Sequence, residues 1–200
     1  MKLGYLGDAS DHWKGSLHEH LRSRARLKNL HAVGMFADGP WGLSAVEAYA
    51  RLLRLPGAHA VLDANLPMPR VKGRAAYFSN VLRTVPPDAD LLVDPDTGIK
   101  NGATGSTAHI SVAELAALLG PTRVLMVFDE SHDRRIDKSA HVRGLAAALV
   151  DLGTRVVACE SGRGVTMFFI SKHPTRTAQI DESLCALLGP AAKQRVTRYP

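Results

Sequence analysis

The segment "LLVDPDTGI" (91–99) decides how the chain is read. Leu91, Leu92 and Val93 run into Asp94-Pro95-Asp96, and Thr97-Gly98 then breaks the pattern. A short apolar run closed by turn residues predicts a buried strand. A single acid after such a strand serves as a helix cap or a loop acid. Two acids flanking a proline at its mouth point to chemistry or to a cation.

Outward from this strand, buried-strand and helix patterns alternate. "KLGYLGD" (2–8), "LHAVGMFADG" (30–39), "HAVLDAN" (59–65) and "TRVLMVFDE" (122–130) are further strand candidates. "SDHWKGSLHEHLRSRARL" (10–27) carries Trp13, Leu17 and Leu21 at i, i+4 spacing, which predicts an amphipathic helix capped by Ser10 or Asp11. Helices are also predicted over 43–55, where Val46, Tyr49 and Leu53 share a face, and over 75–85, 111–120, 138–153 and 180–188. "TGIKNGATGST" (97–107) reads as a glycine-rich loop, and "RVVACESGRGVTMFFISK" (155–172) as two strands around the turn 161–164. The expected fold is α/β: a Rossmann-like, mostly parallel sheet of about seven strands, with helices on both faces and a C-terminal antiparallel hairpin. It forms a single domain over 1–200. Strand 91–94 is expected beside strand 123–128, near the centre.

The composition, 200 residues with 46% hydrophobic and 22% charged, suits one domain with a sizeable core. No apolar run approaches the roughly 18 residues of a membrane span, and the opening residues lack the apolar core of a signal peptide. A cytoplasmic protein without membrane partners is expected. The two cysteines, Cys159 and Cys185, have no partnering pattern, which argues against a disulfide framework or a zinc site. Net charge is +6. Basic residues gather in "RSRARLK" (22–28), "PRVKGR" (69–74), "HDRRIDK" (132–138) and the last 25 residues. Such surfaces attract phosphates, so nucleic acid is the expected partner.

In an open α/β sheet, ligands bind outside the carboxyl ends of the strands. The acids of this chain collect at those predicted ends: Asp8, Asp38, Asp63, Asp94 with Asp96, and Asp129 with Glu130. Carboxylates brought together repel one another, so they need a cation, a shared proton or a hydrogen-bonding ligand. "FADGPWGLSAVEAYA" (36–50) is a strand, a glycine-bearing loop and a helix, which suits backbone approach to a cofactor at Gly39. Asp63 lies 24 residues beyond Gly39, near the distance at which an acid meets a ribose. "GDASDHWK" (7–14) places Asp8, Asp11 and Lys14 at i, i+3, i+6 around a helix start. Asp11 there complements the helix dipole and leaves Asp8 and Lys14 to face a ligand. His132, in "DESHDRR", stands beside Asp129, Glu130 and Asp133 and is a candidate base or metal ligand.

The pattern G-[ND]-x-x-D-x-x-K, here Gly7, Asp8, Asp11 and Lys14, followed much later by a strand ending Asp94-Pro95, resembles the bacterial 23S ribosomal RNA adenine-N6 methyltransferase family. That family's later motif is D-P-P-Y. With Asp94-Pro95-Asp96-Thr97-Gly98, the chain more closely resembles an uncharacterised bacterial family with G-D-x-x-D-x-x-K and D-P-D-N-G motifs, which implies no chemistry. The first resemblance implies a class I, S-adenosylmethionine-dependent methyltransferase-like protein acting on nucleic acid. Asp94 would accept a hydrogen bond from the target amino group, and Asp8, Asp38, Gly39 and Asp63 would sit near the cofactor. Asp96 and Lys14 complete the catalytic set. Thr97 stands where the family has a ring that stacks on the base. The ring must then come from Trp13, Trp41 or Tyr77, and Asp96 puts a negative charge in the base's path.

Two alternatives follow from the residues alone. Asp8, Asp94, Asp96 and Asp129 would hold Mg²⁺ or Mn²⁺ in a nuclease or phosphodiesterase, with Lys14 stabilising the transition-state phosphate. The incomplete glycine loop and altered strand-end motif would equally suit a non-catalytic nucleic-acid-binding module.

Overall fold

The structure, a computed structural model, describes residues 2–24, 26–70, 72–102, 106–130, 137–161 and 164–200. Helix α1 (Ala9–Ser23) precedes strand β1 (His31–Val33). Helices α2 (Leu43–Leu52) and α3 (Arg74–Thr84) lead to β2 (Leu91–Val93). Two short strands, β3 (Gly98–Lys100) and β4 (His109–Ser111), run into α4 (Val112–Leu118). Then come β5 (Leu125–Asp129), α5 (Lys138–Val150), β6 (Arg155–Glu160), β7 (Thr166–Ser171), α6 (Pro174–Leu188), α7 (Ala192–Arg195) and β8 (Val196–Tyr199).

Six strands form one sheet in the order β1-β2-β5-β7-β6-β8, and β3 pairs β4 in a separate parallel ribbon. The pairings β1–β2 and β2–β5 are parallel. The pairings β5–β7, β7–β6 and β6–β8 are antiparallel. The sheet is therefore mixed, and the expectation of a mostly parallel one is corrected. Its cause is the hairpin: a short turn forces β7 antiparallel to β6, and β7, buried at all six positions, inserts beside β5. Because β5 and β6 both oppose β7, strands β1, β2, β5 and β6 point the same way.

Strand β2 lies inside the sheet beside β5, and 155–171 form the hairpin, both as expected. Two predicted strands are short 3₁₀ turns instead, Leu3–Tyr5 and Ala58–Ala60. Gly7 takes φ +87° at the end of the first, which ends any extended run. The second keeps a single bridge, Ala32 to Val61. Strand β8, in the basic tail, was not foreseen. Its β-branched and aromatic residues Val196, Thr197 and Tyr199 suit a half-exposed edge strand.

Alternation along the strands sends neighbours into two cores. Leu92, Met126, Phe128, Val157 and Phe169 join Leu17 and Leu21 of α1, Tyr49 of α2 and Ile180 of α6. Leu91, Val93, Leu125, Val127 and Phe168 join Phe78 of α3, Leu115 of α4 and Leu145 of α5. Burial in both directions is why these strands read as unbroken apolar runs. Among the described residues, no helix is long and apolar enough to cross a membrane.

Candidate functional site

The site grows from the carboxyl end of β2. The Asp94 amide donates to Val33 O at 2.9 Å and so extends the β1–β2 ladder by one residue. With a period of two, Asp94 follows Leu92 toward α1 and α2. There, Lys14 Nζ donates to Asp94 Oδ2 at 2.7 Å, and Tyr49 Oη donates to the same oxygen at 2.6 Å. Among the described residues no hydrogen bond reaches Asp94 Oδ1. Helices α1 and α2 come close enough for this because Gly15 has no side chain: a Cβ there would stand 1.9 Å from Leu52 O.

The start of α1 exchanges the roles expected for its acids. Asp8 is the cap, its Oδ1 accepting from the Ser10 and Asp11 amides at 2.8 and 3.1 Å. Asp11 is the buried partner of Lys14. Its Oδ1 lies 2.8 Å from Nζ, off the axis of a hydrogen bond, and its Oδ2 accepts from the Gly7 amide at 2.9 Å. Lys14 is 3% exposed and also lies over the Phe128 ring, 4.4 Å from its centre. One buried cation thus holds two buried carboxylates.

Burial pushes the Lys14 pKa down, but the charges of Asp94 and Asp11 outweigh it and leave the pKa above its ordinary value. Burial raises the Asp11 carboxyl; Lys14 pulls it back and Asp94 pushes it up again, so it ends above the usual range. Burial, with the charges of Asp94 and Asp11, places the Tyr49 hydroxyl well above a free phenol.

In front of this network lies a cavity of about 370 Å³. Asp8, Asp11, Asp94, Asp96 and Glu130 supply its acids, Lys2 and Lys14 its bases, and Tyr5, Pro95, Thr97 and Phe128 part of its wall. The surplus of carboxylates favours a cationic or neutral, hydrogen-bond-donating ligand over a phosphate. The charge expected on Asp96 is neutralised: Lys2 Nζ stands 2.9 Å from Oδ2.

Sequence reasoning brought Asp8, Lys14, Asp94 and Asp96 to one cavity, and the structure places them there. The other candidates lie elsewhere. Asp38 accepts from the Leu3 amide at 2.8 Å and the Trp41 indole at 3.0 Å. What burial it has raises its pKa, and these bonds outweigh that and hold the carboxyl below its usual range. Gly39 sits on the same turn at φ +112° with open space where a Cβ would be. Asp63 is fully buried. It accepts from the Gly34 and Met35 amides at 2.8 and 2.7 Å and from Tyr77 Oη, and it secures Met35 at φ +47°. Asp129 turns away by strand alternation, with the Ile99 amide 2.8 Å from Oδ1 and His141 Nε2 3.2 Å from Oδ2. His132 lies outside the described residues. Among the described residues, no group of three or more His, Cys, Asp or Glu side chains is placed to hold a metal ion.

For Tyr49 and Asp11 sequence reasoning missed the role, not the residue. Tyr49 was assigned to an apolar helix face, yet a phenol on such a face needs a partner for its hydroxyl. Of the three proposed rings, Trp41 packs on Phe36 and Tyr49, Tyr77 is spent on Asp63, and Trp13 packs against the core.

Of the basic segments, 22–28 and 69–74 lie toward opposite ends of the sheet, and residues 132–136 of a third lie outside the described residues. Lys28 and Arg26 lie at the amino end of β2, where Asp90 accepts from the Lys28 amide at 2.6 Å and from Arg176 Nη2 at 2.6 Å. Arg74 is buried, held by Glu114, Ser106 O and His109 O. Arg70 and Lys72 are exposed, on the loop whose Met68 amide donates to Phe36 O beyond the end of β1.

No family model matches this chain, and neither does a curated protein or a solved structure.

Proposed function

We propose that the chain is an S-adenosylmethionine-dependent, methyltransferase-like protein acting on an amino group of nucleic acid. Asp94 carries the reading. It closes an interior strand at the carboxyl end of the sheet, Lys14 and Tyr49 fix one of its oxygens, and the other takes no hydrogen bond among the described residues. A preset acceptor in front of a cavity suits a base amino group, which donates and carries no charge. Lys14 holds Asp94 in place, Tyr49 fixes its rotation, and Asp11 offsets the buried ammonium. S-adenosylmethionine would supply an electrophilic methyl group on a cationic sulfonium, and the acid-rich wall suits a cation there. The same wall disfavours phosphates inside the cavity while an unstacked base enters, and Arg70 and Lys72 are exposed on a separate loop where a phosphate could meet them.

The architecture supports the reading. Three parallel strands, β1, β2 and β5, are followed by the antiparallel hairpin β6–β7, and helices contribute to both cores, which a Rossmann-like sheet with helices on both faces would share. A cytoplasmic location goes with such a substrate. The metal alternative is the less supported one. Lys14 already neutralises Asp94 and would repel Mg²⁺ or Mn²⁺, and Asp129 faces the other core.

The experiment is transfer of labelled methyl from S-adenosylmethionine to protein-free ribosomal RNA. Wild type should transfer, and Asp94→Ala should lose about a hundredfold or more, the scale of a positioned catalytic hydrogen-bonding group. Equal transfer by both proteins, or none by wild type, would count against the proposal.

A further inference from the structure

We infer that Tyr5 is the stacking platform for the base, taking the place of the ring that Thr97 cannot supply. The inference deepens the function proposed above and rests on it. Tyr5 lines the same cavity as Asp94 and Thr97. It is 60% exposed, while the other rings nearby are committed: Trp41 is 6% exposed, and Phe128 is 4% exposed with its face under Lys14. A tyrosine left that open at the mouth of a polar cavity presents a π-face to whatever enters.

Tyr5 is also held there. It ends the 3₁₀ turn Leu3–Tyr5, and that turn is tied down at its N-cap, Lys2, and at its first residue, Leu3. Lys2 Nζ meets Asp96 Oδ2 at 2.9 Å, and the Leu3 amide meets Asp38 Oδ2 at 2.8 Å. On the other side the Asp8 amide donates to Tyr5 O at 3.1 Å, which joins the turn to the cap of α1. The second acid of the D-P-D-T segment thereby gains a role. Asp96 anchors the segment that carries the ring, and Lys2 cancels its charge at the point where a base would pass.

The test uses two titrations on the full chain. S-adenosylmethionine binding, read by calorimetry, reports on the parent proposal. Adenosine binding, read by NMR with excess S-adenosylhomocysteine to fill any cofactor site, reports on Tyr5. Wild type should bind adenosine, and Tyr5→Ala should bind it about tenfold more weakly or worse, as loss of an aromatic stack implies. Tyr5→Phe keeps the ring and should stay within about twofold of wild type. S-adenosylmethionine affinity should be the same in all three proteins. Adenosine affinity that ignores Tyr5→Ala, no adenosine binding by wild type, or a loss that falls on S-adenosylmethionine alone would overturn the inference. If adenosine distinguishes the variants while S-adenosylmethionine binds none of them, the platform stands and methyl transfer falls. The reverse result leaves methyl transfer standing without Tyr5.

Discussion

Lys14 Nζ and Asp94 Oδ2 meet at 2.7 Å in the interior, joining the first turns of α1 to the end of β2 across eighty residues of chain. Both side chains are almost wholly buried, and Asp11 shares the same ammonium. A buried charge with its partner removed is costly, because nothing replaces the water it gave up. Lys14→Met should therefore lower the unfolding free energy by about 3–5 kcal/mol. The double variant Lys14→Met/Asp94→Leu should recover part of that, since it removes one of the two buried carboxylates and leaves Asp11 without its ammonium and Tyr49 without its acceptor. Urea unfolding checks both, and a Lys14→Met protein as stable as wild type would show that the ammonium does not hold the network.

Alkaline pH should attack the same network. The folded pKa of Tyr49 lies well above 10.0 and that of Lys14 above 10.5, while burial pushes the Cys159 thiol from 9.0 up to about 12. In all three the folded protein keeps a proton that the unfolded chain releases first. Stability is then full below pH 9 and falls as pH climbs from 9 toward 12. Tyr49→Phe removes one of the three groups and a hydrogen bond to a charged acceptor. It should cost about 1.5–3 kcal/mol near neutral pH and decline less steeply above it. Urea midpoints at about pH 8, 10 and 11 read both effects. An unchanged slope in Tyr49→Phe would remove the phenol from the account.

The basic residues of 69–74 should separate into two kinds. Arg74 is buried and bonds Glu114 and two carbonyls, so Arg74→Ala should cost several kcal/mol, about 3 or more. Arg70→Ala and Lys72→Ala remove exposed charges and should change stability by less than about 0.5 kcal/mol. If these two contact phosphates, each substitution should lower the slope of log affinity against log salt by about one. Anisotropy of a labelled RNA across a salt series gives the slope. Binding indifferent to salt would take nucleic acid off the list of partners.

The frame was legible because it rests on residues whose neighbours in sequence already tell their burial. The runs 91–93, 125–128, 156–159 and 167–170 are unbroken apolar segments, and they lie in the sheet. That β7 would insert antiparallel beside β5 was not legible, because the same apolar run serves either pairing. The strand expected at 59–65 failed because Asp63 is spent on the amides of Gly34 and Met35, a long-range bond with no local signature. At the site, Asp94 and Asp96 followed from the strand before them, whereas Asp8 reaches the cavity as the cap of α1 and not from the strand expected over 2–8. Strand ends also suggested Asp38, Asp63 and Asp129, which lie elsewhere, and Tyr49 needed the close crossing at Gly15 to reach Asp94. The exchange of roles between Asp8 and Asp11 turned on a shift of two or three residues in where α1 starts. Helix boundaries are uncertain by about that much in any sequence reading.

Whether the cavity beside Asp94 takes a sulfonium cofactor is the point on which the account stands. Calorimetric titration of the protein with S-adenosylmethionine, and separately with Mg²⁺ and Mn²⁺, measures it. The account predicts one molecule of S-adenosylmethionine bound per chain, with affinity that survives chelation, and no saturable heat from either metal. Saturable binding of Mg²⁺ or Mn²⁺ that Asp94→Asn weakens, with no heat from S-adenosylmethionine, would contradict it.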